Sequence, residues 1–155
     1  MKKTALVILA VVMIIFCSQM IFAQNKIFGL GVFAGQPSGI TAKYWLSAKG
    51  SSALEFGLAY SLTVDNYFYF SASFLEHFFG IIPASSGQIP LFLGIGFETA
   101  LYGDGMGLGI RIPFGVSYIF GKIPLDIYFE VAPVLYLFPS TSYGTEICIG
   151  IRYYF

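Results

Sequence analysis

Apolar residues recur at every second position through most of this chain. The clearest run is Met106 to Phe120, where one parity reads Met106, Leu108, Ile110, Ile112, Phe114, Val116, Tyr118 and Phe120. The other parity reads Gly107, Gly109, Arg111, Pro113, Gly115, Ser117 and Ile119. A period of two is the signature of a β-strand with one apolar face, and no amphipathic helix produces it. Leu125 to Leu137, Leu91 to Tyr102, Ser52 to Leu62 and Glu146 to Phe155 alternate in the same way.

Turn-forming clusters separate these runs: Gly35–Gly39, Lys49–Ser52, Val64–Asn66, Ile82–Gln88, Gly103–Gly105, Gly121–Pro124 and Pro139–Gly144. Seven turns make eight strands. An even number closes an antiparallel barrel with both chain ends on one side, expected to be the periplasmic side. The predicted fold is an all-β, eight-stranded, antiparallel up-and-down transmembrane barrel over residues 24–155. The spacing is about 16 residues per strand and connection, more than the 9–11 needed to cross a bilayer.

Composition points the same way. The 155 residues are 57% apolar, 19% aromatic and only 10% charged, with 18 glycines. A soluble domain carries about 25% charged residues, so the composition argues against an ordinary cytosolic enzyme, and it excludes disorder. The formal net charge of zero gives no electrostatic basis for binding nucleic acid. The longest uncharged stretch beyond residue 26, His77 to Phe97, is broken by Gly80, Pro83, Gly87, Pro90, Gly94 and Gly96. It therefore does not read as a spanning helix. A closed barrel is the other structure that satisfies its backbone in lipid.

Residues 1–23 read as a cleavable secretory signal: Lys2 and Lys3, an apolar core from Ala5 to Phe16, and a cut after Ala23. Phe16 before Cys17 argues against a lipoprotein. Cys148 is then the single cysteine of residues 24–155 and has no neighbours at metal-ligand spacing.

The strand parity sorts the charges. Lys43, Glu55, Glu98, Arg111, Asp126, Glu130, Glu146 and Arg152 all fall on the inward face. Buried charges need partners, so an ionic network is expected in the lumen, with Arg111 and Arg152 bridging Glu98 and Glu130 and with Glu55 and Lys43 nearby. It reads as a polar plug that fixes register; the alternative is a proton or small-ion path. An eight-stranded barrel is just wide enough for side chains to fill, so a general porin is not expected. Gly29, Gly31, Gly57, Gly94, Gly96, Gly107, Gly109, Gly115 and Gly150 also fall inward, leaving room for large inward neighbours. Outward aromatics Phe28, Tyr44, Phe56, Tyr118, Phe120, Tyr153 and Phe155 read as an interfacial girdle.

Two positions stay ambiguous. Glu76 falls on the lipid parity, which means either a place at the interface, the preferred reading, or a bulge that shifts the register. His77, the single histidine, shares its parity with Ser71 and Ser73. A serine–histidine pair is conceivable there, but a plain interfacial histidine is the simpler reading, and no catalytic, metal or cofactor motif is found.

The C-terminal IGIRYYF, with Ile149, Ile151, Tyr153 and Phe155 alternating, resembles the assembly signal of bacterial outer-membrane barrels. The resemblance implies insertion by the barrel-assembly machinery. The segments GQPSGITAKYW, LFLGIGF, GIRIPFGVSYIF and FEVAPVLYL look like a spirochaete-type family of small OmpA-like barrels without an assigned activity. That resemblance implies an outer-membrane location and brings no catalytic residues. Short loops argue against a large receptor surface, although a small surface ligand or host-protein contact at the loop tips stays open. No peptidoglycan-binding domain is expected after the barrel. The sequence reads as a small structural barrel of the outer membrane, not an enzyme and without a cofactor. A narrow channel or a lipid or small-molecule transport barrel is the alternative, and a lipid-modifying enzyme the third reading.

Overall fold

The computed structural model describes residues 26–48, 50–61, 67–102 and 105–155. The expected signal segment, the turn at Val64–Asn66, and Lys49, Gly103 and Asp104 lie outside the described residues. The described chain is all β: β1 (Phe28–Gln36), β2 (Gly39–Trp45), β3 (Ser52–Ser61), β4 (Tyr67–Ile82), β5 (Ile89–Tyr102), β6 (Gly105–Arg111), β7 (Phe114–Ile119), β8 (Leu125–Phe138) and β9 (Ser142–Tyr154). Among these residues there are nine strands where eight were expected, because the run Met106 to Phe120 is divided. Pro113 has no N–H to give to a ladder. Its carbonyl still accepts from Gly94 N at 2.7 Å, and Ile112 N donates to the Pro133 carbonyl at 3.0 Å. β6 and β7 both pair with β5 on one side and β8 on the other. They form one span interrupted by a proline, so the nine strands make eight spans.

Every pairing is antiparallel, and the ladder returns to its start because β1 pairs with both β2 and β9. The register gives the ring its tilt. From Phe56 on β3, cross-strand partners lead through Ala42, Leu30 and Tyr153 to Leu125 on β8. The other way round they lead through Ala72, Phe97 and Ile110 to Leu135. The row comes back displaced along β8 from Leu125 to Leu135, which is the stagger that a tilted barrel requires. The displacement is even, so inward residues stay inward all the way round.

Alternation then divides the wall. Leu30, Val32, Ile95, Phe97, Ile110, Ile149 and Ile151 lie exposed on the outer face, while Tyr69, Leu75, Phe92 and Tyr128 are buried inside. An outer wall this apolar, at about 25 cal/mol per Å², suits hydrocarbon and not water. The inner glycines stand directly across from bulky residues: Gly31 from Arg152, Gly29 from Tyr154, Gly150 from Tyr128, Gly115 from Phe92. A Cβ on Gly29 would lie 2.8 Å from the Tyr154 ring, and one on Gly115 would lie 2.7 Å from Phe92. The glycines are the holes into which the lumen's large side chains fit.

Glu76 is settled by the register. It sits opposite Ser52, the first residue of β3, with no irregularity from Tyr67 to Phe78. Ser52 Oγ donates to its carboxylate at 2.6 Å. The bulge comes later, between Phe78 and Ile82, where Gly80 has φ 80°. Phe56, expected in the girdle, stands instead in the middle of β3, opposite Ala42 and Ala72. The other girdle aromatics are at the strand ends: Tyr118 packs edge-on against Phe120 with centroids 4.7 Å apart, and Tyr153 against Phe155 at 5.0 Å.

Candidate functional site

The lumen holds two ionic clusters, each built around an arginine with a glycine opposite it. Arg111 on β6 faces Gly96, and Arg152 on β9 faces Gly31. With no side chain across the ladder, each guanidinium can lie over the neighbouring strand and reach carboxylates on several others.

Arg111 lies nearer the loops that connect β1 to β2 and β8 to β9. Its NH2 donates to Glu130 at 2.7 Å and lies 3.2 Å from Glu146, its Nε is 3.7 Å from Glu98, and NH1 donates to Ser73 at 3.2 Å. Tyr69 adds its hydroxyl, which donates to Glu146 at 2.9 Å. Arg152 lies nearer the chain ends. It pairs with Glu55 through NH1 and with Asp126 through Nε at 3.0 Å, and its guanidinium stacks 3.8 Å above the Tyr128 ring. Tyr154 completes this cluster, donating to the second Asp126 oxygen at 2.7 Å.

All eight side chains placed inward by parity are buried. Their pairing differs from the expected one in one respect: Arg152 binds Glu55 and Asp126, not Glu98 and Glu130. The reason is register. Asp126 is the direct cross-strand partner of Arg152, whereas Glu98 and Glu130 surround Arg111. Between the clusters remains a void of about 20 Å³, touched by Thr41, Glu55, Arg111 and Glu130. That is room for about one water molecule.

Lys43 stands apart from both clusters. Its Nζ, fully buried, donates to His77 Nε2 at 2.7 Å, and His77 Nδ1 donates to the Ser51 carbonyl at 2.9 Å. The two bonds together fix a neutral imidazole with its proton on Nδ1. Trp45 lies over both groups, 4.5 Å from the ammonium and 4.5 Å from the imidazole centroid. The conceivable pairing of His77 with Ser71 or Ser73 is not formed: its partners are Lys43 and Ser51, and Ser73 accepts from Arg111. His77 follows Glu76 at the end of the β3–β4 ladder, with its ring turned into the barrel and 2% exposed. Parity alone could have put Lys43, Trp45 and His77 on one face; their meeting depends on the β2–β3–β4 register.

A recess lies at each end of the barrel. The end near the β1–β2 and β8–β9 loops opens into a recess of about 580 Å³ lined by Gln36, Ser38, Tyr136, Thr145 and Glu146. At the end carrying both termini, a recess of about 600 Å³ is lined by Lys26, Trp45, Phe79, Ile119, Lys122, Ile123 and Tyr154. Among the described residues, the first carries Glu146 and no cation, while the second sets Trp45, Phe79, Ile119 and Ile123 beside Lys26 and Lys122, with no acidic side chain.

The N-terminal β-barrel domain of Pseudomonas aeruginosa OprF, known from a crystal structure, has the same fold. It superposes with a TM-score of 0.57 over 85% of this chain and 98% of that domain, at 16% sequence identity. The likeness shows an OmpA-like barrel architecture. No family model and no curated protein match the chain. Among the described residues no group of histidine, cysteine or carboxylate side chains is arranged to hold a metal ion.

Proposed function

We propose that the chain is a small structural β-barrel of the bacterial outer membrane whose lumen is closed by its own ionic network. One observation carries the reading: two buried arginines hold five carboxylates across the barrel and leave about 20 Å³ of free space between them. A barrel built to conduct would keep that cross-section open. The apolar outer wall and the OprF-like fold support a place in the outer membrane. Residues 1–23 serve as the export signal, residues 24–155 form the barrel, and Ile149, Ile151, Tyr153 and Phe155 present the signal read by the barrel-assembly machinery. The connections tipped by Pro37–Ser38 and Pro139–Thr141 then face outward, short but free to contact a surface ligand or host protein.

Single-channel recording on the pure protein in planar bilayers tests the reading. The wild type is expected to show no steady conductance. Steady conductance that Glu98→Ala abolishes would overturn the plug and favour an ion path through the Arg111 cluster.

A further inference from the structure

The recess at the terminal end groups apolar side chains in its wall. Trp45 and Phe79 pack 6.3 Å apart, and Ile119 and Ile123 complete the apolar surface. Below, the recess is blind: Tyr154 lines it and is tied through Asp126 to the Arg152 cluster, and Trp45 caps the buried Lys43–His77 pair. Above, Lys26, with its Nζ 5.2 Å from the Tyr153 ring centroid, and Lys122 stand at the opening, and among the described residues no acidic side chain lines the cavity. Its volume of about 600 Å³ falls in the range of small-molecule sites, roughly 300–1,000 Å³. The mouth at the other end carries the opposite charge, with Glu146 and, among the described residues, no cation.

We infer that the terminal-side recess is a binding cup for an anionic amphiphile with a single alkyl chain. The chain lies against Trp45, Phe79 and Ile119, where it removes apolar surface from water, and the anionic head sits between Lys26 and Lys122. A zwitterionic or cationic head gains nothing from that rim. A small hydrophilic anion leaves the aromatic wall wet. Because the floor is closed, the ligand enters and leaves by the same side, so the cup holds an amphiphile and does not conduct it. On the reading above, that side is the periplasmic one.

Trp45 is the chain's single tryptophan and lines the cup, so its fluorescence reports occupancy directly. The barrel is refolded into phosphatidylcholine vesicles and titrated with ω-bromoundecanoic acid, whose bromine quenches indole, and in parallel with its uncharged methyl ester. Saturable quenching by the acid is expected. The ester should need a several-fold higher concentration, and Lys26→Gln with Lys122→Gln should raise the acid's half-saturation by about fivefold to tenfold, as loss of two exposed charge contacts implies. Quenching that never saturates, that is equal for acid and ester, or that the double variant leaves unchanged would overturn the cup. Heat-modifiable migration of the same samples separates the two proposals. An unfolded band counts against the barrel itself, and a folded band with unsaturable quenching counts only against the cup.

Discussion

Lys43 and Glu55 are direct cross-strand partners on β2 and β3, yet they do not form an ion pair. The Glu55 carboxylate is taken by Arg152, and the Lys43 ammonium turns toward the chain ends to reach His77 Nε2 at 2.7 Å. A guanidinium holds two carboxylates at once in its planar fork, which an ammonium cannot do. Lys43 is thus left buried with an imidazole and two aromatic faces, Trp45 at 4.5 Å and Phe92 at 5.8 Å.

The Lys43–His77 pair should be coupled. His77→Ala removes the acceptor of a buried amine and the ring that packs on Trp45, at an expected cost of about 2–4 kcal/mol. Lys43→Met keeps the stem and removes a cation that lacks a carboxylate, and should cost about 1 kcal/mol or less. In the Lys43→Met background His77→Ala should be milder by about 1 kcal/mol. Urea unfolding from lipid vesicles, followed by Trp45 fluorescence, measures the cycle; additive effects would mean that the contact carries no energy.

Arg152 is the keystone of its cluster. Arg152→Met strips Asp126 and Glu55 of the guanidinium that pairs them and leaves only the Lys43 ammonium nearby, and a broken buried pair costs about 3–5 kcal/mol. Arg152→Lys should rescue little of that, since one ammonium cannot serve both carboxylates. Glu55→Gln should be milder than Arg152→Met, because Arg152 keeps Asp126. The folded fraction on a heat-modifiable gel and the urea midpoint give the order; an Arg152→Lys barrel as stable as wild type would contradict it.

The alternation along each strand was enough to find the wall, its apolar outer face and the eight buried charges. It could not say which charge meets which. Partners across a barrel depend on the displacement that carries Leu125 to Leu135, a property of the closed ring that no single strand contains. That is why Arg152 was expected beside Glu98 and Glu130 and is found beside Asp126. The proline break was hidden for a related reason: Pro113 keeps the parity of its run, so it costs the ladder a donor without disturbing the pattern. Parity along β4 brings Ser71 and Ser73 to the face of His77, whereas its partner comes from β2, two strands away.

Two glycines should fail for different reasons. A Cβ on Gly31 would press on the Ile151 carbonyl and lie 2.7 Å from Arg152 Cα and Cγ, so Gly31→Ala overpacks the wall at about 1–3 kcal/mol. Gly80 has open space around it, but its φ of 80° disfavours an ordinary residue by roughly 1–2 kcal/mol. Asparagine tolerates that backbone region. Gly80→Asn should therefore recover most of the loss seen in Gly80→Ala, while Gly31→Asn should be worse than Gly31→Ala. Refolding yields of the four variants decide it, and rescue by asparagine at both sites would refute the steric account of Gly31.

The outer wall should price a charge by depth. Ile110 lies inside the span made by β6 and β7, away from its ends at Gly105 and Ile119, and is exposed on the outer face. Arginine there would put a guanidinium in hydrocarbon at about 2–4 kcal/mol. Leu125, at the start of β8 and opposite Tyr153, shares the outward parity but stands at the rim. Leu125→Arg should cost about 0–1 kcal/mol, because its guanidinium reaches the headgroups. Gly109→Arg is a poor control for the inner face, since a Cβ there already lies 2.8 Å from Val134 Cγ1. The informative comparison is Ile110→Arg against Leu125→Arg in the same vesicles by urea midpoint. Equal costs would mean that the wall between Ile110 and Leu125 does not cross a hydrocarbon gradient, and the transmembrane reading of the barrel would fall with it.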